Sequence, residues 1–232
     1  MVHVQISSPK WFFGLDGSFE LIAAVITLIV AIAAWKIWRM TKERRHGWFS
    51  LAFIFLSAGM AARGIADLVI EKVVTCAPAL REALPAAPGM TRTAFVFIAG
   101  YLSNILFTLV AFIILVCLAF RIRDKAIALL LFLLVIPTLM ISASYFLSYY
   151  WLSMILLAFI AFGHYRHCRE TKKGKTVTMA FIFLGLAQVQ FMLSAVNALT
   201  PFVKDIVYVT AHSTQILGFL MILLAFIKTI LK

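Results

Sequence analysis

The stretch LSAGMAARGIADLVIEK covers residues 56–72, and two charged residues interrupt its apolar part before the charged end at Glu71 and Lys72. Arg63 and Asp67 are four residues apart, so on a helix their side chains share one face and lie one turn from each other. A guanidinium and a carboxylate at this spacing can neutralise each other, bind a polar ligand, or do both. Either charge at the centre of a membrane helix costs about 2.5–3.5 kcal/mol on insertion scales, so neither is expected there without a partner.

Further polar residues lie on single faces of other apolar stretches. Glu71 continues the stripe of Arg63 and Asp67, and Glu20 adds a carboxylate from an earlier stretch. Helical spacing places Gln190 on the polar face of its stretch, whereas Gln188 points elsewhere. The candidate ligand-binding residues are Arg63, Asp67, Tyr101, Asn104, Gln190, Asn197, Tyr208, His212 and Gln215.

The elements that must position these residues are membrane-spanning helices. The chain of 232 residues is 64% hydrophobic and 13% charged, with a mean hydropathy of +1.04, whereas soluble domains are roughly 45–50% apolar and about 25% charged. Seven apolar runs are long enough to cross a bilayer, which takes about 20 residues. They lie near residues 17–39, 48–71, 94–120, 126–146, 148–167, 176–200 and 206–230. We therefore expect an all-α integral membrane protein with one domain, residues 1–232.

The distribution of charge predicts the orientation of the bundle. Three connections and the C-terminus together carry fifteen Lys and Arg against three acidic residues, which accounts for the entire formal net charge of +12. The six basic and six acidic residues on the other side cancel. By the positive-inside rule, the N-terminus lies outside the cell membrane and the C-terminus in the cytoplasm. The basic rim is then explained by topology and by contact with anionic lipid, and we expect no nucleic-acid partner.

Two segments are predicted to lie outside the bundle on the outer face. The first is residues 1–16, and the start of the chain, residues 1–20, lacks the basic start and small-residue cleavage site of a signal peptide. In that segment Trp11, Phe12 and Phe13 can lie at the membrane interface. Residues 72–93 form the only long connection, and the prolines in it favour a structured lid above the charged pair.

The polar residues are confined to one half of the bilayer. At about 1.5 Å per residue, nearly all of them fall in the outer half, whereas the inner half of every span is apolar. We expect one deep polar cavity that opens to the outside and reaches about the level of Asn104 and Gln215. The apolar segments 52–56 and 180–184 would close its floor.

The sequence also suggests an internal repeat, because LAFIFL at 51–56 recurs as MAFIFL at 179–184. The first three spans would then match the last three, with the fourth as a linker. This three-plus-one-plus-three layout resembles that of SWEET and PQ-loop transporters, and is similar to that of microbial rhodopsins. Those transporters carry prolines in the paired helices, whereas Pro137 is the only intramembrane proline here, and the rhodopsins carry a lysine in mid-helix, whereas Lys228 is near the end of its span. The resemblance covers architecture and assigns no functional residue.

These observations favour a ligand-binding or sensory membrane protein that takes a small ligand from the outer side and signals through a membrane or cytoplasmic protein partner. A small-solute transporter and a structural subunit of a larger membrane complex are the alternatives.

No motif indicates an enzyme, a cofactor or a metal. His212 lacks a second histidine at its depth to ligate a haem, and HYRHC at 164–168 offers fewer than the four ligands of a structural zinc site. No serine neighbours a base in a nucleophile motif. The chain has only two Asn and four Gln, as is typical of heat-adapted proteins.

Overall fold

The computed structural model describes residues 12, 15–81, 88–122, 124, 127, 129–133, 145–171, 174–195 and 200–230, and most side chains within them. All regular structure in this part of the chain is helical, which confirms the all-α fold. The helices are α1 (Leu15–Thr41), α2 (Arg44–Arg81), α3 (Pro88–Ala119), α5 (Tyr145–Thr171), α6 (Lys175–Ala195) and α7 (Pro201–Ile230). The helix between α3 and α5 is labelled α4 and is described only at residues 127 and 129–133.

Six of these helices contain a segment long and apolar enough to cross a membrane. They correspond to six of the seven predicted spans, and most of the remaining span, 126–146, lies outside the described residues. The predicted loop at 72–93 is wrong in its bounds, because α2 remains helical to Arg81 and α3 begins at Pro88. Hydropathy marks where a chain leaves hydrocarbon, not where its helix ends, so the polar stretch after residue 71 continues the helix beyond the apolar span.

The long helices are arranged in a ring. Neighbours around the ring are α1 with α2, α2 with α3, α3 with α5, α5 with α6, α6 with α7, and α7 with α1. Side chains that face the interior of this ring form one hydrophobic core to which every long helix contributes. Apolar residues facing outward, such as Ile32, Phe159 and Leu224, are more than half exposed, as expected of a surface that contacts lipid.

Basic residues from several helices gather at one end of the ring. Arg45 at the start of α2 donates a hydrogen bond from Nη2 to the Leu118 carbonyl near the end of α3, over 3.4 Å. Arg121 Nη2, just beyond α3, lies 3.5 Å from His167 Nδ1 near the end of α5. These contacts define what we call the basic end, and the opposite end is called the polar end. Which end faces the cytoplasm stays a prediction.

Close packing of two glycines brings α1 and α2 together at the polar end. A Cβ added at Gly64 would lie 2.9 Å from the Gly17 carbonyl oxygen, and one added at Gly17 would lie 3.0 Å from the Gly64 carbonyl oxygen. Backbones approach this closely only where neither residue has a side chain. The contact places Glu20, almost one turn after Gly17, beside Arg63.

An apolar layer crosses the ring between its two ends. Phe53 and Leu56 of α2, Phe181 of α6 and Ile222 of α7 are each at most 1% exposed. The segments 52–56 and 180–184 therefore contribute to an apolar layer, as the sequence predicted. Phe53 and Phe181 occupy matching positions in these two segments, 128 residues apart, and both are buried. The internal duplication itself stays a prediction.

Candidate functional site

Arg63 is the centre of a buried charged network at the polar end. Its Nη1 lies 3.2 Å from Glu20 Oε1 on α1, and its Nε lies 3.8 Å from Asp67 Oδ2, one turn along α2. The side chains of all three residues are less than 10% exposed. One guanidinium therefore faces two carboxylates, and the shorter contact is the one between helices.

Aromatic groups complete the surroundings of the guanidinium. The Tyr101 hydroxyl of α3 donates a hydrogen bond to Asp67 Oδ1 over 3.1 Å. Arg63 Cζ lies 5.2 Å from the ring centre of Tyr101 and 5.9 Å from that of Phe191 on α6. Both distances suit a cation–π interaction, which is stronger where water is excluded. The network thus ties α1, α2 and α3 together and packs against α6.

His212 extends the network to α7. Its Nδ1 lies 3.8 Å from Glu20 Oε1, and its side chain is 2% exposed. The Phe12 ring covers it, with ring centres 5.8 Å apart, and Phe12 is itself only 2% exposed. The prediction that Phe12 lies at the membrane interface is therefore wrong, because its ring has an aromatic pocket formed by Phe19, Tyr208 and His212. Trp11 and Phe13 lie outside the described residues.

The network encloses a cavity of only about 20 Å³. Such a volume accommodates about one water molecule. Residues that line it include Glu20, Met60, Arg63, Asn104, Thr108, Tyr149, Tyr150, Gln188, Phe191 and Gln215. The cavity is thus far smaller than the deep, open pocket that the sequence predicted, because aromatic side chains fill the space between the polar groups.

The predicted site residues divide into three groups. Arg63, Asn104 and Gln215 line the small cavity. A second group contacts the charged network without lining the cavity, and it consists of Asp67, Tyr101, His212 and Tyr208. The ring centres of Tyr208 and His212 are 5.0 Å apart. Asn197 lies outside the described residues, and Gln190 does not line the cavity.

Gln188, which was expected to point elsewhere, lines the cavity in place of Gln190. Gln188 is 7% exposed and shares a helical face with Leu184 and Phe191, which also line the cavity. Gln190 lies two residues further along, about 200° around the helix. The assignment of the polar face was wrong because a single span with two glutamines does not reveal which of them faces the ring interior.

Sequence reasoning left several contributors out of the site. Glu20 is not among the site residues that the sequence predicts, although it makes the shortest ion pair in the described part of the chain. Its position as the one acidic residue inside the first apolar run, between residues 17 and 39, was a usable signal. Tyr149 and Tyr150 carried no such signal, because tyrosines at a span's end are usually interfacial anchors.

The network is incompletely hydrogen-bonded. Glu20 Oε1, Arg63 Nε, Asp67 Oδ2 and His212 Nε2 are buried without a hydrogen-bond partner among the described residues, although the first three make the ion-pair contacts given above. Among the described residues, no group of three or more His, Cys, Asp or Glu side chains is placed to hold a metal ion. No protein family, curated protein or solved structure matches the chain.

Proposed function

We propose that this multi-pass membrane protein is a sensor whose responsive site is the network of Glu20, Arg63, Asp67 and His212. The observation that carries the proposal is the sharing of one guanidinium by two buried carboxylates. With both carboxylates ionised and His212 neutral, these groups sum to one negative charge. A buried net charge is expensive, so a proton or a small cation must balance it.

The size of the cavity limits the ligand. About 20 Å³ admits a proton or a single small cation, but no organic solute, unless the ring opens. Glu20, Arg63, Tyr149 and Tyr150 are the ionisable residues that line this space in the described part of the chain. Asp67, Tyr101 and His212 contact Arg63 or Glu20, and the buried Asp16 and Tyr208 lie close by. The ligand of the proposed sensor is therefore a proton, with a monovalent cation as its substitute.

The contacts of the network supply a route for the response. Glu20 holds α1 to α2 through Arg63 and faces α7 through His212. Loss of the balancing charge makes the two carboxylates repel each other, which favours separation of α1 from its neighbours. Because the same helices extend to the basic end, a protein partner bound there would respond to the movement of α1.

A pH titration of stability tests the proposal. A folded protein that holds one proton more than its unfolded chain loses stability as pH rises, by about 1.4 kcal/mol per unit. We expect the thermal midpoint of the protein in neutral detergent to fall as the pH is raised from about 5, just above the ordinary pKa of a free carboxyl, to alkaline values. The variant Glu20→Gln leaves Arg63 and Asp67 balanced, so its midpoint should change much less over this range.

The control is Glu43→Gln, which removes an exposed carboxylate that lies 3.6 Å from His46 at the basic end. This variant should follow the wild-type pH profile. If Glu20→Gln and the wild type gave parallel profiles, the network would hold no extra proton and the proposal would fail. A rescue of the high-pH midpoint by sodium, but not by choline, would identify the substitute cation.

Transport is the second candidate, and one observation favours it. A cavity of about 460 Å³ lies at the basic end, and its lining residue Leu115 is less than one turn from Phe112, which lines the polar cavity. The two cavities would have to join for a solute to cross. The buried layer of Phe53, Phe181 and Ile222 opposes that step, since wetting apolar surface costs about 25 cal/mol per Å².

A further inference from the structure

The large cavity at the basic end combines a cationic rim with an apolar interior. It has a volume of about 460 Å³ and lies between the ends of α2, α3, α5, α6 and α7. Its basic lining residues are Arg45, His46, Arg121, His164, Arg166 and His167. Phe49, Leu115 and Phe226 are among the apolar lining residues, and no acidic residue lines it within the described part of the chain.

Two of the three arginines on this rim, Arg45 and Arg121, have no carboxylate partner among the described residues. Arg45 uses one N–H on the Leu118 carbonyl, and Arg121 contacts His167. A phosphate can accept charge-assisted hydrogen bonds from two or three guanidinium groups at once, so such a rim suits it well.

Arg121 is held on the rim by an unusual backbone conformation. Arg121 follows the end of α3 and has φ of +55°. Its amide donates a hydrogen bond to the Leu118 carbonyl over 3.3 Å, and the amide of Ile122 donates one to the Cys117 carbonyl over 2.9 Å. This is the Schellman arrangement, whose left-handed residue is usually glycine. Glycine would suit this position better than arginine for the fold alone, so the Arg121 side chain can be removed without loss of the helix end.

We propose that this cavity binds an anionic phospholipid from the surrounding bilayer. The headgroup phosphate contacts Arg45, Arg121 and Arg166, and the start of an acyl chain packs against Phe49, Leu115 and Phe226. Charge complementarity selects the headgroup, and the apolar interior favours a lipid over a soluble anion. The site is separate from the charged network, so the two proposals can fail independently.

Replacement of Arg121 by glycine tests the proposal without endangering the fold. Arg121→Gly removes the charge and relieves the left-handed strain, so the variant should be at least as stable as the wild type. Lys42→Gly is the matched control, because Lys42 has φ of +57° after α1 and does not line the cavity. Each variant loses one positive charge at a left-handed position near the basic end.

The readout is the thermal midpoint of purified full-length protein in an uncharged maltoside detergent, titrated with phosphatidylglycerol. We expect wild type and Lys42→Gly to be stabilised at similar concentrations. Arg121→Gly should need roughly fivefold more lipid for half the effect, which corresponds to about 1 kcal/mol. If Arg121→Gly failed to fold, Arg121→Asn would replace it, since asparagine also tolerates this conformation.

Three outcomes would overturn the proposal. Equal responses of Arg121→Gly and Lys42→Gly would show only a general attraction between anionic lipid and the basic end. Equal stabilisation by phosphatidylcholine would show that the negative headgroup is not recognised. Full stabilisation by millimolar inorganic phosphate alone would replace the lipid with a soluble phosphate.

Discussion

At the scale of single residues, Arg63 and the two carboxylates beside it have unequal roles. Removing Arg63 leaves Glu20 and Asp67 buried without their cation. Removing either carboxylate leaves one cation and one anion in contact, at 3.2 Å or 3.8 Å. The network is therefore more sensitive to the loss of its one positive charge than to the loss of either negative charge.

This asymmetry gives a mutational prediction. Arg63→Met should destabilise the protein by about 3–5 kcal/mol, as expected when a buried charge loses its partner. Glu20→Gln and Asp67→Asn should each cost much less, and the triple variant should recover most of the stability lost in Arg63→Met. Thermal or denaturant unfolding in detergent measures the four variants.

Arg39→Met provides the control, because Arg39 is an exposed cation near the end of α1 and its loss should change stability little. If Asp67→Asn proved as harmful as Arg63→Met, Asp67 would be the sole counterion of Arg63. Glu20 would then contribute nothing to holding Arg63.

At this scale the sequence predicts pairs within a helix but not pairs between helices. The spacing of Arg63 and Asp67 alone predicts their contact, since helical geometry is fixed. The contact of Arg63 with Glu20 depends on the depth at which α1 crosses α2, which no local pattern encodes. The exchange of Gln188 for Gln190 has the same origin, because the rotation of α6 about its axis is set by its neighbours.

At the scale of helices, the crossing of α1 and α2 depends on Gly17 and Gly64. A methyl group at position 64 would lie 2.9 Å from the Gly17 carbonyl and 3.0 Å from Leu21 Cγ. The helices would have to move apart to admit it. Since Arg63 is the neighbour of Gly64, that movement would also lengthen the contact between Arg63 and Glu20.

Gly64→Ala should therefore destabilise the protein by about 1–3 kcal/mol through overpacking. Gly185→Ala is the control, because a methyl group there would meet only Leu157 Cβ, at 4.0 Å, and alanine favours the helix. That variant should be neutral or slightly stabilising in the same unfolding measurement. Equal effects of the two substitutions would contradict a tight crossing at Gly64.

Helix positions were predictable to the extent that hydropathy controls them. The first predicted span, 17–39, differs by two residues at each end from α1, Leu15–Thr41. The prediction for α2 ends ten residues early, because the helix continues to Arg81 beyond the apolar span. Apolarity alone therefore identified a span but not the full length of its helix.

At the scale of the whole molecule, charge and polarity are distributed unequally between the two ends. Arginines from α2, α5 and the end of α3 meet around one cavity at the basic end, whereas the buried acidic residues gather at the polar end. The apolar layer keeps the two apart. This asymmetry can be predicted from the sequence, because successive spans alternate in direction and so place their ends at alternate ends of the bundle. It is also the basis for predicting which end of the molecule faces the cytoplasm.

Single cysteines in a background without Cys76, Cys117 and Cys168 test the orientation of the molecule in its membrane. Thr200→Cys is exposed in the connection before α7 at the polar end, and Glu43→Cys is exposed between α1 and α2 at the basic end. The positive-inside rule predicts that a membrane-impermeant maleimide added to intact cells labels the first and not the second. Permeabilised cells should label both, which shows that each cysteine is reactive. Labelling of Glu43→Cys alone in intact cells would reverse the orientation, and the network around Arg63 would then lie on the cytoplasmic side.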